Sequence, residues 1–81
     1  MTKKDFDEFI DQFLYRTKKI PPGSLNWTAS LLQREYVDSL SLVLLINEVE
    51  MHFEMKIPEN QINEKNFASK ESLFHLLAEI D

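Results

Sequence analysis

Ser39 is the side chain whose setting first suggests chemistry. It stands in Tyr36-Val37-Asp38-Ser39-Leu40, directly ahead of an apolar run from Ser41 to Phe53. A short acidic residue followed by such a run is a helix start signal. Asp38 suits the N-cap, because its carboxylate can accept the orphan N–H groups of the first turn. Ser39 then occupies the first helical position with its hydroxyl facing water. An unassisted serine hydroxyl is a weak nucleophile and needs a base. The candidate bases are His52 and His75. His52 lies thirteen residues further along the same helix, which is ~20 Å at the α-helical rise, so it cannot touch Ser39. His75 falls on the last helix, and both histidines read as surface or half-buried residues. No glycine-rich phosphate loop and no metal-ligand cluster is visible. Glu48 and Glu50 read as ordinary solvated helix charges. The pattern therefore offers no catalytic residue and no metal site, and a hydrolase built on Ser39 fails on the missing base. What remains is a serine displayed at a helix tip, an attachment point that another protein can reach.

The elements that must hold this serine are helical. Phe6, Phe9, Ile10, Phe13 and Leu14 recur at helical spacing and predict a first helix over about Lys4 to Lys18 with those residues in the core. Asp5, Asp7 and Glu8 lie at its start and Arg16, Lys18 and Lys19 at its end, an order that suits the helix dipole. Ile20-Pro21-Pro22-Gly23 stops it. From Ser24 to Val37 the sequence predicts a long ordered loop, pinned to the core by Leu25, Trp27, Leu31, Leu32 and Val37. The second helix is expected over Ser39 to Glu54. Leu42, Val43, Leu45, Ile46, Val49 and Phe53 share its core side. Leu40, Leu44, Asn47 and Met51 line the opposite side, a second stripe that begins beside Ser39. That stripe either rests against the long loop or docks a partner, and docking is the favoured reading. Pro58, at the first helical position, opens a short helical turn over Glu59 to Asn63 with Ile62 as its core contact. Ser69 caps a final helix whose apolar face is Leu73, Leu76, Leu77 and Ile80, with Phe67 in the core before it.

Composition bounds the rest. The chain has 81 residues, enough for a single domain over 1–81 with a thin stability margin. Apolar content is 43%, with nine aromatic residues, one glycine and three prolines. That balance favours a folded helical domain over a turn-rich β architecture. Nine basic against fourteen acidic residues give a net charge of −5. Nucleic acid is thereby disfavoured as a partner, since phosphate contacts need a basic face, and basic docking surfaces are favoured. Glu35, Asp38, Glu48 and Glu54 supply acidity for steering such partners. With no cysteine, no signal-like leader and no apolar run near the ~20 residues of a membrane span, a cytoplasmic monomer is expected, without membrane contact.

Asp38-Ser39-Leu40, followed by Val43, Leu45, Ile46, Val49 and Phe53 and then by Ile57-Pro58, resembles the acyl/peptidyl carrier protein family. The family's Phe-x-x-x-Ile-Pro ending of the second helix reads here as Phe53-Glu54-Met55-Lys56-Ile57-Pro58. The resemblance spans about the whole chain in length and element order and is strongest from Leu31 to Ile80. It implies an all-α fold, a small four-helix bundle of three longer helices plus one short helix. It also implies that Ser39 accepts 4′-phosphopantetheine covalently from coenzyme A, flanked by Asp38 and Leu40. Acyl or aminoacyl groups would then be held as thioesters on that arm. The implied partners are a phosphopantetheinyl transferase and acyl- or aminoacyl-loading and acyltransferring enzymes, docking on Glu35, Leu40, Leu44, Asn47 and Met51. Two departures stand out. Arg34-Glu35-Tyr36 occupies a stretch where many members have glycine, and Leu44 stands where fatty-acid carriers have glutamate. The less acidic second helix and the Phe67 region tilt the expectation towards a specialised biosynthetic pathway rather than housekeeping fatty acid biosynthesis. The rival reading is a helical interaction module in which Asp38-Ser39 is only a cap, Leu40, Leu44 and Met51 bind a partner helix, and no arm exists.

Overall fold

The computed structural model describes residues 1–32 and 36–80. In chain order they form α1 (Lys3–Lys18), α2 (Ser39–His52), a 3-10 turn (Glu59–Gln61) and α3 (Lys70–Ile80). There is no strand among the described residues. The expected short fourth helix is thus one three-residue 3-10 turn. Pro58 precedes that turn in extended conformation (φ −60°, ψ 138°) instead of occupying its first position.

Each α-helix starts where its sequence supplies a cap. Thr2 Oγ1 accepts the Asp5 N–H at 3.1 Å and opens α1 one residue earlier than the periodicity suggests. Asp38 opens α2. At α3, the Ser72 N–H donates to Ser69 Oγ at 3.1 Å and the Ser69 N–H donates to Ser72 Oγ at 3.0 Å. This is a capping box with serine in the usual Glu or Gln position. The ends are set by left-handed residues. Lys19 (φ 58°) closes α1. Glu54 (φ 52°) follows α2, where the Met55 N–H reaches back to the Glu50 carbonyl at 3.1 Å. That Schellman-type closure stops α2 two residues short of the expected Glu54.

The core lies between the three helices and the two connections. Phe6, Ile10, Phe13 and Leu14 of α1 meet Leu45 and Val49 of α2 and Leu73, Leu76 and Leu77 of α3, with Ile57 and Phe67 from the second connection. Each large side chain so buried contributes about 1.5–3 kcal/mol before chain entropy is counted. The first connection is pinned as its apolar residues suggest: Leu31 and Val37 are buried, and Leu25, Trp27 and Leu32 pack against the core. Its backbone is also tied to the approach to α3, since the Leu31 N–H donates to the Ala68 carbonyl and the Glu71 N–H to the Trp27 carbonyl.

Two expectations about α2 need correction. Val43 does not face the core; it is 57% exposed. The buried residues of α2 are Ser41, Leu45 and Val49, flanked by half-buried Leu42, Ile46 and Phe53. At about 100° per residue, Val43 lies beyond the edge of that arc. Glu48 and Glu50 are not merely solvated. Glu48 pairs with Arg16 of α1, and Glu50 Oε2 accepts the Ile57 N–H at 2.8 Å, fixing the turn out of α2.

A buried cation completes the framework. Lys70 is 1% exposed, and its Nζ donates to Asp7 Oδ1 at 2.7 Å, Asp11 Oδ1 at 2.6 Å and the Leu25 carbonyl at 3.3 Å. All three ammonium donors are therefore satisfied. The same Asp11 accepts the Gly23 N–H through Oδ2. Gly23 adopts φ 82°, a left-handed turn that glycine tolerates without steric cost. One side chain thus joins α1, the first connection and the start of α3.

Candidate attachment site

The start of α2 is built by Asp38. Its backbone is extended (φ −93°, ψ −175°), and Oδ1 accepts the Ser41 N–H at 2.9 Å. Its other oxygen, Oδ2, accepts a hydrogen bond from Lys18 Nζ at 2.7 Å. The Lys18 ammonium and the Ser41 N–H hold the Asp38 carboxyl far below the usual carboxylate range. Asp38 is therefore a charged cap at any ordinary pH, and it ties the last turn of α1 to the first turn of α2. No local pattern announces this contact: from its neighbours alone, Lys18 reads only as a cation at the end of a helix dipole.

Ser39 follows as the first residue of α2, exposed, and its hydroxyl makes no hydrogen bond to any described residue. The next turns carry the apolar stripe. Leu40 is 81% exposed, Leu44 50% and Met51 79%, and Asn47 between them is exposed too. Val43 joins this surface. The stripe therefore does not rest against the described part of the loop. These side chains line one exposed face of α2. Glu35 falls outside the described residues.

Neither histidine is hydrogen-bonded to Ser39. His52 is exposed at the far end of α2 and stacks on Phe9 with ring centroids 4.7 Å apart. His75 is exposed on α3, edge-on to Phe74. No group of three or more His, Cys, Asp or Glu that could hold a metal ion occurs among the described residues. No helix among them is long and apolar enough to cross a membrane.

The family model described as "Phosphopantetheine attachment site" matches residues 16–69. The chain belongs to this family. It is a carrier domain rather than a catalytic one, and its cofactor is 4′-phosphopantetheine, bound covalently. Solved structures carry the same fold. A chain in the crystal structure of Bradyrhizobium japonicum glycine:[carrier protein] ligase, complexed with its cognate carrier protein and an analogue of glycyl adenylate, aligns with a TM-score of 0.74 at 22% identity, covering 95% of this chain and 96% of that one. A chain in the structure of the same ligase with glycylated carrier protein aligns at 0.71 and 23% identity, covering 91% and 96%. A chain in the crystal structure of an FAD-dependent dehydrogenase aligns at 0.73 and 29% identity, covering 84% and 97%. No curated protein matches significantly.

The serine hydroxyls inside the matched segment can be told apart by their surroundings. Ser24 Oγ donates to the Pro21 carbonyl at 2.6 Å. Ser30 is engaged. Ser41 is buried, and Ser69 is buried within its capping box. Ser39 combines exposure, a hydroxyl without a hydrogen bond among the described residues and a place at the capped start of α2.

Proposed function

We propose that residues 1–81 form a single carrier domain in which Ser39 bears the 4′-phosphopantetheine arm. The observation that carries this reading is the exposed, unengaged Ser39 hydroxyl directly after the charged cap Asp38, inside the segment matched by the attachment-site family. When bound, the arm supplies a terminal thiol that holds an acyl or aminoacyl group as a thioester. Asp38 fixes the first turn of α2, so Ser39 is presented on a rigid tip. Leu40 flanks the root of the arm. Leu40, Leu44, Asn47 and Met51 form the face that docks partner enzymes, with Val43 extending it. A phosphopantetheinyl transferase modifies Ser39, and loading and acyltransferring enzymes then dock in turn. Tethering raises the effective concentration of cargo at each active site, so the carrier needs no base of its own.

An uncharged docking stripe favours partners that meet it through apolar contact, as expected for a specialised pathway. The glycylated carrier among the structural relatives makes an aminoacyl group the first cargo to test. Intact mass after incubation with coenzyme A and a broad-specificity phosphopantetheinyl transferase tests the reading. Wild type gains one phosphopantetheine, and Ser39→Ala, folded by circular dichroism, gains none. An equal gain on both proteins, or none on folded wild type with two different transferases, refutes it.

A further inference from the structure

Lys18 makes one hydrogen bond, to Asp38 Oδ2 at 2.7 Å. An ammonium has three donors, so two of its N–H groups stay uncommitted among the described residues. The other cations of this helix end are occupied differently. Arg16 pairs with Glu48, and Lys19 lies over the Tyr15 ring at 5.5 Å. Lys18 is thus held in place by a carboxylate whose own residue is the neighbour of Ser39, with consecutive Cα atoms about 3.8 Å apart. Its side chain is partly shielded, at 31% exposure, which limits screening by water and salt.

A phosphodiester on Ser39 would add one negative charge beside the Asp38 carboxylate. Like charges at that range disfavour each other. Spare ammonium donors on the lysine paired with the same carboxylate answer this problem, because charge-assisted N–H bonds to phosphate oxygens are among the stronger ones available. We propose that Lys18 is a positioning residue for the root of the arm, binding the anionic phosphodiester on Ser39 with the donors that Asp38 leaves free. The inference rests on Ser39 as the attachment residue. Asp38 then has two roles, capping α2 and holding the cation that receives the phosphate. The ligand class is a phosphate diester monoanion. The contact spans twenty residues of sequence and restrains the arm where it leaves the protein.

The test compares wild type, Lys18→Met, Lys18→Arg and Lys19→Met, each loaded enzymatically and checked by intact mass and fragmentation. Two readouts follow: the 31P resonance of the loaded phosphodiester, and the titration of the Asp38 carboxyl by 13C NMR before and after loading. The expected result is a shifted 31P resonance in Lys18→Met, with largely wild-type behaviour in Lys18→Arg and Lys19→Met. Loading should also raise the Asp38 titration midpoint more in Lys18→Met than in wild type. A 31P resonance unmoved by Lys18→Met, or moved equally by Lys19→Met, overturns the proposal while leaving Ser39 as the attachment residue. If fragmentation places the modification elsewhere than Ser39, the attachment reading itself falls, and this inference with it.

Discussion

Lys70→Met is expected to be among the most damaging substitutions remote from the attachment site. Lys70 is 1% exposed and gives all three donors to Asp7, Asp11 and the Leu25 carbonyl. Methionine fills much the same space but leaves two carboxylates without their cation. The Asp11 side chain is 13% exposed, and one of its oxygens loses its partner while the other keeps the Gly23 N–H. The Asp7 side chain is 43% exposed and can regain water. Removing one member of a buried ion cluster costs about 3–5 kcal/mol. Because Asp7 resolvates, the expected cost lies near the lower end, at about 3 kcal/mol. A domain of this size has a net stability of only about 3–5 kcal/mol, so most of the margin disappears. Near the midpoint, each kcal/mol is worth about 4–8 °C in a domain of 60–100 residues, and the melting temperature should fall by at least about 12 °C. Urea unfolding followed by Trp27 fluorescence and circular dichroism measures this directly. Trp27 is a suitable reporter because its carbonyl accepts the Glu71 N–H beside Lys70. The double variant Lys70→Met with Asp11→Asn removes the stranded charge and should recover part of the loss. A cost below about 1 kcal/mol, the range of an exposed pair, would refute the reasoning. So would a double variant no more stable than the single one.

Two further predictions concern the site. Asp38 titrates below its ordinary range because Lys18 and the Ser41 N–H favour its charged form. Its contribution to stability is therefore fully present above the unfolded-state value of about 3.9 and is lost as the pH falls through the lower folded value. Asp38→Asn should be less stable than wild type at neutral pH, and the gap in urea midpoint should close in strong acid; a gap that widens there contradicts the assignment. Met51→Glu, at a side chain 79% exposed, should shift stability by no more than about 0.5 kcal/mol while slowing loading by the cognate enzyme. Unchanged loading kinetics for Met51→Glu combined with Leu44→Glu would remove the stripe as the docking face.

Much of the fold is legible in the sequence because its signals are local. Asp38 and Ser69 cap helices by reaching residues three positions on, and helical spacing identifies Phe6, Ile10, Phe13, Leu45, Val49, Leu73 and Leu77 as core. Where the signal is a range of angle, the reading is looser. Val43 sits beyond the edge of the buried arc of α2, and Ser41 is buried because it lies inside that arc despite its hydroxyl. The end of α2 carries no glycine to announce it; Glu54 takes the left-handed conformation instead. The least legible features are charges whose partners are distant in sequence. Lys70 meets Asp7 and Asp11 across 63 and 59 residues, and Lys18 meets Asp38 across 20. No periodicity encodes such pairs, and each lysine taken alone reads as solvated. The Asp38 cap and the exposure of Ser39 and Leu40 are readable because they depend on immediate neighbours, whereas the cation behind them depends on the packing of α1 against the start of α2.

The proposed carrier role rests on one atom, the Ser39 hydroxyl. Fragmentation mass spectrometry of the enzymatically loaded wild-type chain tests it most directly. The phosphopantetheine mass is expected on the peptide bearing Ser39, with backbone fragments bracketing that residue. Its appearance on Ser24, Ser30 or Ser41 would overturn Ser39 as the attachment residue.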